Sequence, residues 1–470
     1  MRKYFVLLVL FQLNVFASET QFLGCWIGKI DIIQQVLAIK ICFSLDSNSN
    51  YVGKIDIPQQ NAFGLSLSNI EAKRDSIKFD LIVNVMNIAK FHGKLVNANT
   101  ESAKIVGTFR QMGLVGKFEV EKSFANDEEP EEDTTICYEE EVEIHSGGVK
   151  LAGTFSRPID LNKYPVVIFI TGSGLQNRDE EIYGFKIFKK ISDELIKIGI
   201  ATLRMDDRGV GGSTTIPGTS PTTFDFANDV EQMINYLKTR KDIDTGKICL
   251  LGHSEGAIVA FIVGSRNPNI RCIISIAGPT IRGDSLILEQ ILLEMKNQNV
   301  PDSLIQETIQ DQMEIYNIVR KTQDYERAKE ILRKQAKKQL EFYPEEISSQ
   351  VSNILIERNI QMQIESIRSE WFRTFIDINP IDFLSKIKCP TLLIFAEKDQ
   401  QVPLESNISK FRKHIKKKNF TVAVIPNANH LFQKCKTGQV FEYGILPKKF
   451  APNFIETISN WLRSNLQNKK

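Results

Sequence analysis

Between residues 22 and 122, short runs of alternating apolar and polar residues recur, separated by polar or glycine-bearing turns. Examples are 26–33, 36–44, 51–57, 76–85, 90–96 and 103–109. A period of two predicts strands with one buried face. Strands this closely spaced predict a small antiparallel barrel or sandwich. The stretch Asn126-Asp127-Glu128-Glu129-Pro130-Glu131-Glu132-Asp133 that follows has no apolar side chain to bury and reads as a solvated linker.

The period then changes. Residues 138–144 and 149–156 predict a hairpin, and 166–170 a fully apolar strand. Helical stretches then alternate with short β-rich runs at 201–204, 248–251, 272–276, 391–395 and 421–425. Buried strands alternating with helices predict a mostly parallel sheet covered on both faces. From Ser285 to about Phe375 the strand-like runs stop and helical ones take over, among them a capping box of Ser303 and Gln306 just after Pro301. An insertion this long is no simple loop. It predicts a helical lid.

Length and composition add to this picture. A chain of 470 residues exceeds one ordinary core and favours two domains. An apolar share of 42% and a charged share of 25% are those of a globular protein. The net charge of +2 is not gathered into a stripe, and Lys416-Lys417-Lys418 reads as a solvated face, so no nucleic-acid partner is expected. Arg2 and Lys3, then the apolar run 4–11, then Val15-Phe16-Ala17 have the order of a secretory signal peptide cleaved near Ala17. That run is too short to span a bilayer, and no stable membrane insertion is expected. The expected divisions are a signal peptide 1–17, a β domain 18–122, a linker 123–136 and a catalytic domain 137–470. The expected location is the periplasm or the exterior.

Seven cysteines without C-x-x-C spacing argue against zinc or thioredoxin chemistry. Export permits disulfides, and Cys25 with Cys42 is one candidate bridge. Cys249, Cys272 and Cys389 sit in or beside apolar strand runs and read as buried free thiols.

The chemistry centres on Gly252-His253-Ser254-Glu255-Gly256, of the form G-x-S-x-G. The pattern alone is common. Here an apolar strand enters it and a helix-compatible run, 257–263, leaves it, the context that exposes a nucleophilic serine at a sheet's carboxyl edge. The bland alternative is an ordinary Gly/Ser-rich strand end. A serine hydroxyl needs a base that titrates near neutrality. Of five histidines, His92 lies in the β domain, His145 ahead of the catalytic sheet and His414 in a lysine-rich helical stretch. His253 adjoins the nucleophile in a tight turn and points elsewhere. His430, in the loop beyond the last strand-like run, remains as the base. Asp399, at the end of an earlier strand, is the orienting acid, with Glu397 as a rival and a plain turn former as the alternative. An oxyanion needs backbone donors. Glu255 follows the nucleophile, and Ser173 lies in Thr171-Gly172-Ser173-Gly174 after strand 166–170; that loop also reads as a simple Gly-rich turn. Arg208-Gly209-Val210-Gly211-Gly212-Ser213 lacks the Lys-Ser/Thr of a phosphate loop and is assigned to a turn beside the site. Trp371, Phe372 and Phe375 are assigned to packing of the lid. No metal or organic cofactor is expected.

These residues resemble a bacterial α/β-hydrolase family of exported esterases, of the esterase D type, with prolyl-oligopeptidase-like hydrolases as distant relatives. The specific pieces are Gly172-Ser173-Gly174-Leu175-Gln176-Asn177-Arg178-Asp179, Asp207 with Arg208 to Ser213, and the serine motif itself. Ile387-Lys388-Cys389-Pro390 leading to Lys398-Asp399-Gln400-Gln401-Val402-Pro403 is a further piece, as is Asn429-His430-Leu431-Phe432-Gln433. Gly24-Cys25-Trp26-Ile27-Gly28 is similar to the opening of that family's N-terminal β domain. Ala396 stands where glycine is usual, and Leu175 and Asn177 replace the commoner Pro and Asp. The resemblance implies an α/β-hydrolase fold preceded by a small β barrel or sandwich, with Ser254, Asp399 and His430 as the triad of an enzyme cleaving small-molecule esters. Two other readings stay open. One is a serine peptidase acting on short peptides; no propeller-like repeat is present to restrict access to it. The other is a non-catalytic protein that binds the cell envelope.

Overall fold

The computed structural model describes residues 20–466 except 33–34, 61, 85–86, 99, 101, 112–113, 124–136, 160–162 and 342–352. The expected signal peptide lies outside the described residues, as do all but the first residue of the expected linker and part of the insertion. The described residues fall into two compact units.

The first is a closed antiparallel barrel of eight strands in chain order: β1 (Gly24–Ile32), β2 (Gln35–Leu45), β3 (Tyr51–Ile57), β4 (Ala62–Lys73), β5 (Ser76–Asn84), β6 (Asn87–Val96), β7 (Lys104–Gln111) and β8 (Leu114–Ser123). β1 pairs with both β2 and β8, which closes the ring and leaves no free edge. Alternate side chains point inward. Trp26, Phe79, Phe91, Phe109 and Phe118 fill the interior, and Phe79 stacks on Phe91 at 4.7 Å. A lumen packed with side chains is what eight strands enclose.

The second unit carries an eight-stranded sheet built from β9 (Tyr138–Ser146), β10 (Val149–Arg157), β11 (Tyr164–Ile170), β14 (Ala201–Met205), β15 (Ile243–His253), β16 (Cys272–Ile276), β17 (Thr391–Ala396) and β18 (Phe420–Ile425). A small hairpin, β12 (Glu181–Ile182) with β13 (Phe185–Lys186), stands apart from it. The order across the sheet is β18-β17-β16-β15-β11-β14-β10-β9. The β9–β10 hairpin is antiparallel at one edge, and the six strands from β11 onward run parallel. Because β14 and β15 lie on opposite sides of β11, the chain reverses its winding there. Such a switch point leaves a crevice beyond the strands' carboxyl ends. β11 and residues 248–251 of β15 are apolar on both faces and almost wholly buried, as covering helices require.

The helices are α1 (Ile187–Lys197), α2 (Thr223–Thr239), α3 (Glu255–Arg266), α4 (Gly283–Asn297), α5 (Asp302–Lys321), α6 (Tyr325–Glu341), α7 (Asn353–Arg368), α8 (Glu370–Phe375), α9 (Pro380–Leu384), α10 (Leu404–His414) and α11 (Phe454–Leu466). α4 to α8 form the insertion between β16 and β17. They have a core of their own, including Ile315, Tyr316, Ile331, Leu332, Ile360, Ile364 and Phe372. The fold class is the expected one: a β barrel, then a mostly parallel sheet with helices, interrupted by a helical insertion.

Three expectations need correction. Cys249 and Cys272 are not free thiols but disulfide-bonded. They sit opposite each other on adjacent parallel strands, a register that apolar patterning does not reveal. Cys25 and Cys42, also cross-strand neighbours, are bonded too, whereas Cys389 is free. Ser303 caps nothing, because α5 begins at Asp302 with Pro301 as its N-cap and Ser303 already lies inside the first turn. A capping box occurs instead on α2, where Thr222 and Asp225 each hold the other's backbone N–H. His145 does not precede the catalytic sheet. It lies on β9, the sheet's edge strand.

Candidate active site

The motif around Ser254 is a sharp turn from strand to helix. Ser254 is the N-cap of α3 at φ +53° and ψ −119°, in a left-handed region that a non-glycine residue occupies only when its surroundings force it. The flanking glycines explain how the turn is accommodated. A Cβ on Gly252 would lie 2.2 Å from the Gly256 carbonyl oxygen, and one on Gly256 would lie 2.1 Å from that of Ile170. Both distances are far inside van der Waals contact, so the two smallest residues are required. The Ser254 N–H donates to the Ile276 carbonyl at 3.0 Å, which pins the turn to β16. Ser254 is partly exposed while His253 and Glu255 are buried. The serine is therefore the accessible residue of the three.

His430 follows β18 and Asp399 follows β17. Nδ1 of His430 lies 2.7 Å from Oδ2 of Asp399, and both side chains are buried. The other carboxylate oxygen, Oδ1, accepts the N–H groups of Gln401 and Val402, each at 2.8 Å. With both oxygens occupied, the carboxylate has a fixed orientation and holds the proton on Nδ1, which leaves Nε2 free to accept. The loop carrying His430 is braced by the buried Asn429, whose Oδ1 accepts from Leu431 and Gln433. The rival Glu397 is exposed and accepts from the Asn427 N–H instead. His92 and His414 are exposed on β6 and α10. Among the described residues Ser254 Oγ makes no side-chain hydrogen bond; in ligand-free sites such bonds are often long and tighten on substrate binding.

The loop after β11 is anchored residue by residue to buried or partly buried carboxyl groups. Thr171 Oγ1 donates to Asp207 at 2.6 Å, the Gly172 N–H to Glu180 at 2.7 Å, and Ser173 Oγ to Glu255 at 2.7 Å. The backbone N–H groups of Ser173 and Glu255, the expected oxyanion donors, take part in no hydrogen bond among the described residues. The Ser173–Glu255 side-chain bond links the two residues that carry them. Glu255 also accepts from Thr223 Oγ1 at 2.6 Å and from the Trp371 indole N–H at 2.9 Å. Burial pushes the Glu255 carboxyl above its ordinary pKa, while its donors Thr223, Ser173 and Trp371 pull the other way. Burial likewise raises Asp207 to about 7, against its bonds from Thr171 and Gln176 and helped by the nearby charges of Glu180 and Glu255.

Sequence reasoning missed these supporting carboxyl groups. Trp371 was expected only to pack; it does stack on Phe375 at 5.0 Å, but its indole also reaches Glu255 beside Ser254. Glu180 and Asp207 stand beside or inside the motifs that carry the family resemblance, and that was the available signal. Among the described residues no cluster of three or more His, Cys, Asp or Glu is arranged to hold a metal ion. Nor is any helix there long and apolar enough to cross a membrane.

Comparison with known proteins gives one family and several distant relatives. Esterase EstD of Thermotoga maritima is 24% identical over 296 residues, which span 62% of this chain and 60% of that protein. The chain thus covers less than two thirds of the length of that relative. An esterase of Pyrococcus furiosus superposes with a TM-score of 0.44 at 18% identity, over 70% of this chain and 92% of its own. Est1E of Butyrivibrio proteoclasticus gives 0.39 at 16% identity, over 69% and 98%. The sequence profile of the family described as serine aminopeptidase, S33, matches residues 185–434, from β13 to the loop beyond His430. That match takes in more than half of the chain, which therefore belongs to the serine aminopeptidase S33 family.

Proposed function

We propose that the protein is a serine hydrolase that cleaves carboxylic esters through an acyl-enzyme intermediate, with Ser254, His430 and Asp399 as its triad. The observation that carries this reading is the left-handed Ser254 at the strand-to-helix turn, in one sheet with a His430–Asp399 pair bonded at 2.7 Å. His430 Nε2 takes the Ser254 proton as Oγ attacks the ester carbonyl. The oxyanion that forms is held by the N–H groups of Ser173 and Glu255. His430 then gives its proton to the departing alcohol, and the C–O bond breaks to leave the acyl-serine. A water deprotonated by the same histidine attacks that ester, and the acid leaves as Oγ regains its proton.

A peptidase with the same machinery is the second reading, favoured by the family's description. Glu255, the residue next to Ser254, is engaged by three donors and only 3% exposed, so that carboxyl group is not available to a substrate's ammonium group. We also assign residues 18–122 and 137–470 to separate domains joined by the acidic linker, and the protein to the exported class on the strength of its N-terminal segment.

The test is Ser254→Ala in the purified protein, with p-nitrophenyl esters and aminoacyl amides as substrates and a fluorophosphonate as probe. Loss of ester hydrolysis and labelling with an unchanged melting temperature is expected. Full labelling of that variant refutes the nucleophile, and faster amide than ester turnover by the unaltered protein refutes the ester assignment.

A further inference from the structure

His253, the first of the two variable residues of the serine motif, has no part in the reaction just described, yet both its ring nitrogens are engaged. The residue is 2% exposed. Nδ1 lies 2.9 Å from Glu180 Oε1, and Nε2 lies 3.0 Å from the backbone carbonyl oxygen of His430. The same Glu180 oxygen accepts the Gly172 N–H of the loop that carries the oxyanion donor Ser173. A continuous path of three hydrogen bonds thus runs from that loop, through Glu180 and His253, to the backbone of the base.

We propose that His253 is a positioning residue: with Glu180 it fixes the oxyanion loop and the His430 backbone relative to the nucleophile between them. The inference rests on the assignment of Ser254 and His430 made above. A backbone carbonyl can only accept, so Nε2 must carry a hydrogen. The contact between Nδ1 and Oε1 needs a second proton, on one atom or the other. The pair therefore holds one proton more than a neutral imidazole beside a carboxylate, and loss of that proton sets two lone pairs against each other.

The surroundings favour its retention. Burial opposes charge on His253, but the Glu180 carboxylate, the His430 carbonyl and the negative charge of Asp399 outweigh it and hold the imidazole above its ordinary pKa. Among the described residues the titratable groups bearing on His253 are Glu180, His430, whose ring centroid is 4.7 Å away, and Asp399; Glu180 in turn bears on Asp207. Glu180 itself is 1% exposed and sits at φ +46°, a left-handed conformation that costs a non-glycine residue free energy. Its second oxygen, Oε2, is buried without a hydrogen-bond partner among the described residues. The carboxylate is thus committed to the Gly172–His253 side, and the backbone is held in a strained shape to keep it there.

The experiment compares His253→Ala, Glu180→Gln and Ser254→Ala in the full chain, with kcat and KM for a p-nitrophenyl ester from pH 6 to pH 9, fluorophosphonate labelling and thermal unfolding. A displacement of the reacting groups by about 1 Å costs roughly a hundredfold in rate, so His253→Ala should lower kcat by about that factor with little change in KM. Glu180→Gln keeps an oxygen for the Gly172 N–H but removes the charge that outweighs burial, so the imidazole loses its extra proton and with it one of the two bonds that hold it. Its kcat should then fall about tenfold against the unaltered protein across pH 6 to pH 9, the worth of one lost hydrogen bond, with little change in KM. If His253→Ala does not fold, that ratio decides. A kcat ratio near one for a folded Glu180→Gln, or an unchanged kcat in a folded His253→Ala, overturns the positioning role. Ester hydrolysis surviving in Ser254→Ala would instead overturn the reaction itself.

Discussion

Replacing Asp399 by asparagine changes one atom and, on the geometry of the site, should nearly stop the reaction. The two acceptor positions of Asp399 are not equivalent. Oδ1 receives two backbone N–H groups, from Gln401 and Val402, and Oδ2 receives the imidazole N–H of His430. An amide has a single oxygen, and turning its NH2 toward two backbone donors would leave three buried donors in conflict. The asparagine oxygen must therefore take the Oδ1 position, with its NH2 facing His430 Nδ1. Nδ1 then has to accept, the ring proton moves to Nε2, and Nε2 can no longer take the serine proton. A wrong tautomer of this kind costs about 10⁴-fold in kcat where it has been measured. That equals about 5 kcal/mol of barrier, at 1.36 kcal/mol per tenfold. Steady-state hydrolysis of a p-nitrophenyl ester reads the effect, and a melting curve checks that the fold survives. A folded Asp399→Asn protein that keeps more than about a tenth of kcat would refute both the tautomer argument and Asp399 as the orienting acid.

Three further outcomes follow from the surrounding structure. Asp207 has a folded-state pKa raised from 3.8 to about 7, so between those values the unfolded chain releases a proton that the folded one keeps. Stability should then fall as pH rises from about 4 to about 7, by ~4 kcal/mol at most, and Asp207→Asn should flatten this slope in urea titrations; an unchanged slope contradicts the assignment. Trp371→Phe keeps the ring against Phe375 but removes a donor from the buried Glu255, and should lower stability by about 1–2 kcal/mol. An unchanged urea midpoint would show that the indole N–H bond contributes nothing. The Cys25–Cys42 bridge closes a loop with a sequence separation of 17, for which chain entropy predicts about 3 kcal/mol. Cys25→Ser with Cys42→Ser should lower the barrel's unfolding transition accordingly, and equal melting curves would argue against the bridge.

Local patterning makes much of this protein legible in its sequence. The alternating runs of the barrel and the apolar runs of β11, β15, β16 and β17 encode their elements in residue period, because burial on one or both faces is written into neighbouring positions. The serine motif was legible for the same reason: strand, turn and helix are contiguous, and Gly252 is dictated by a contact with Gly256 four positions on, although Gly256 answers to the distant Ile170 carbonyl. What patterning could not supply was pairing at a distance. Whether eight strands close into a barrel or form a sandwich depends on β1 meeting β8. Whether Cys249 bonds Cys272 depends on the register of two parallel strands. The roles of Glu180, His253, Asp207 and Trp371 depend on hydrogen bonds between residues tens to hundreds of positions apart. Each of these side chains alone is an unremarkable charged or aromatic residue. Only packing decides which partner it meets, since burial leaves each polar atom to find its hydrogen bond among whatever the folded chain brings within reach.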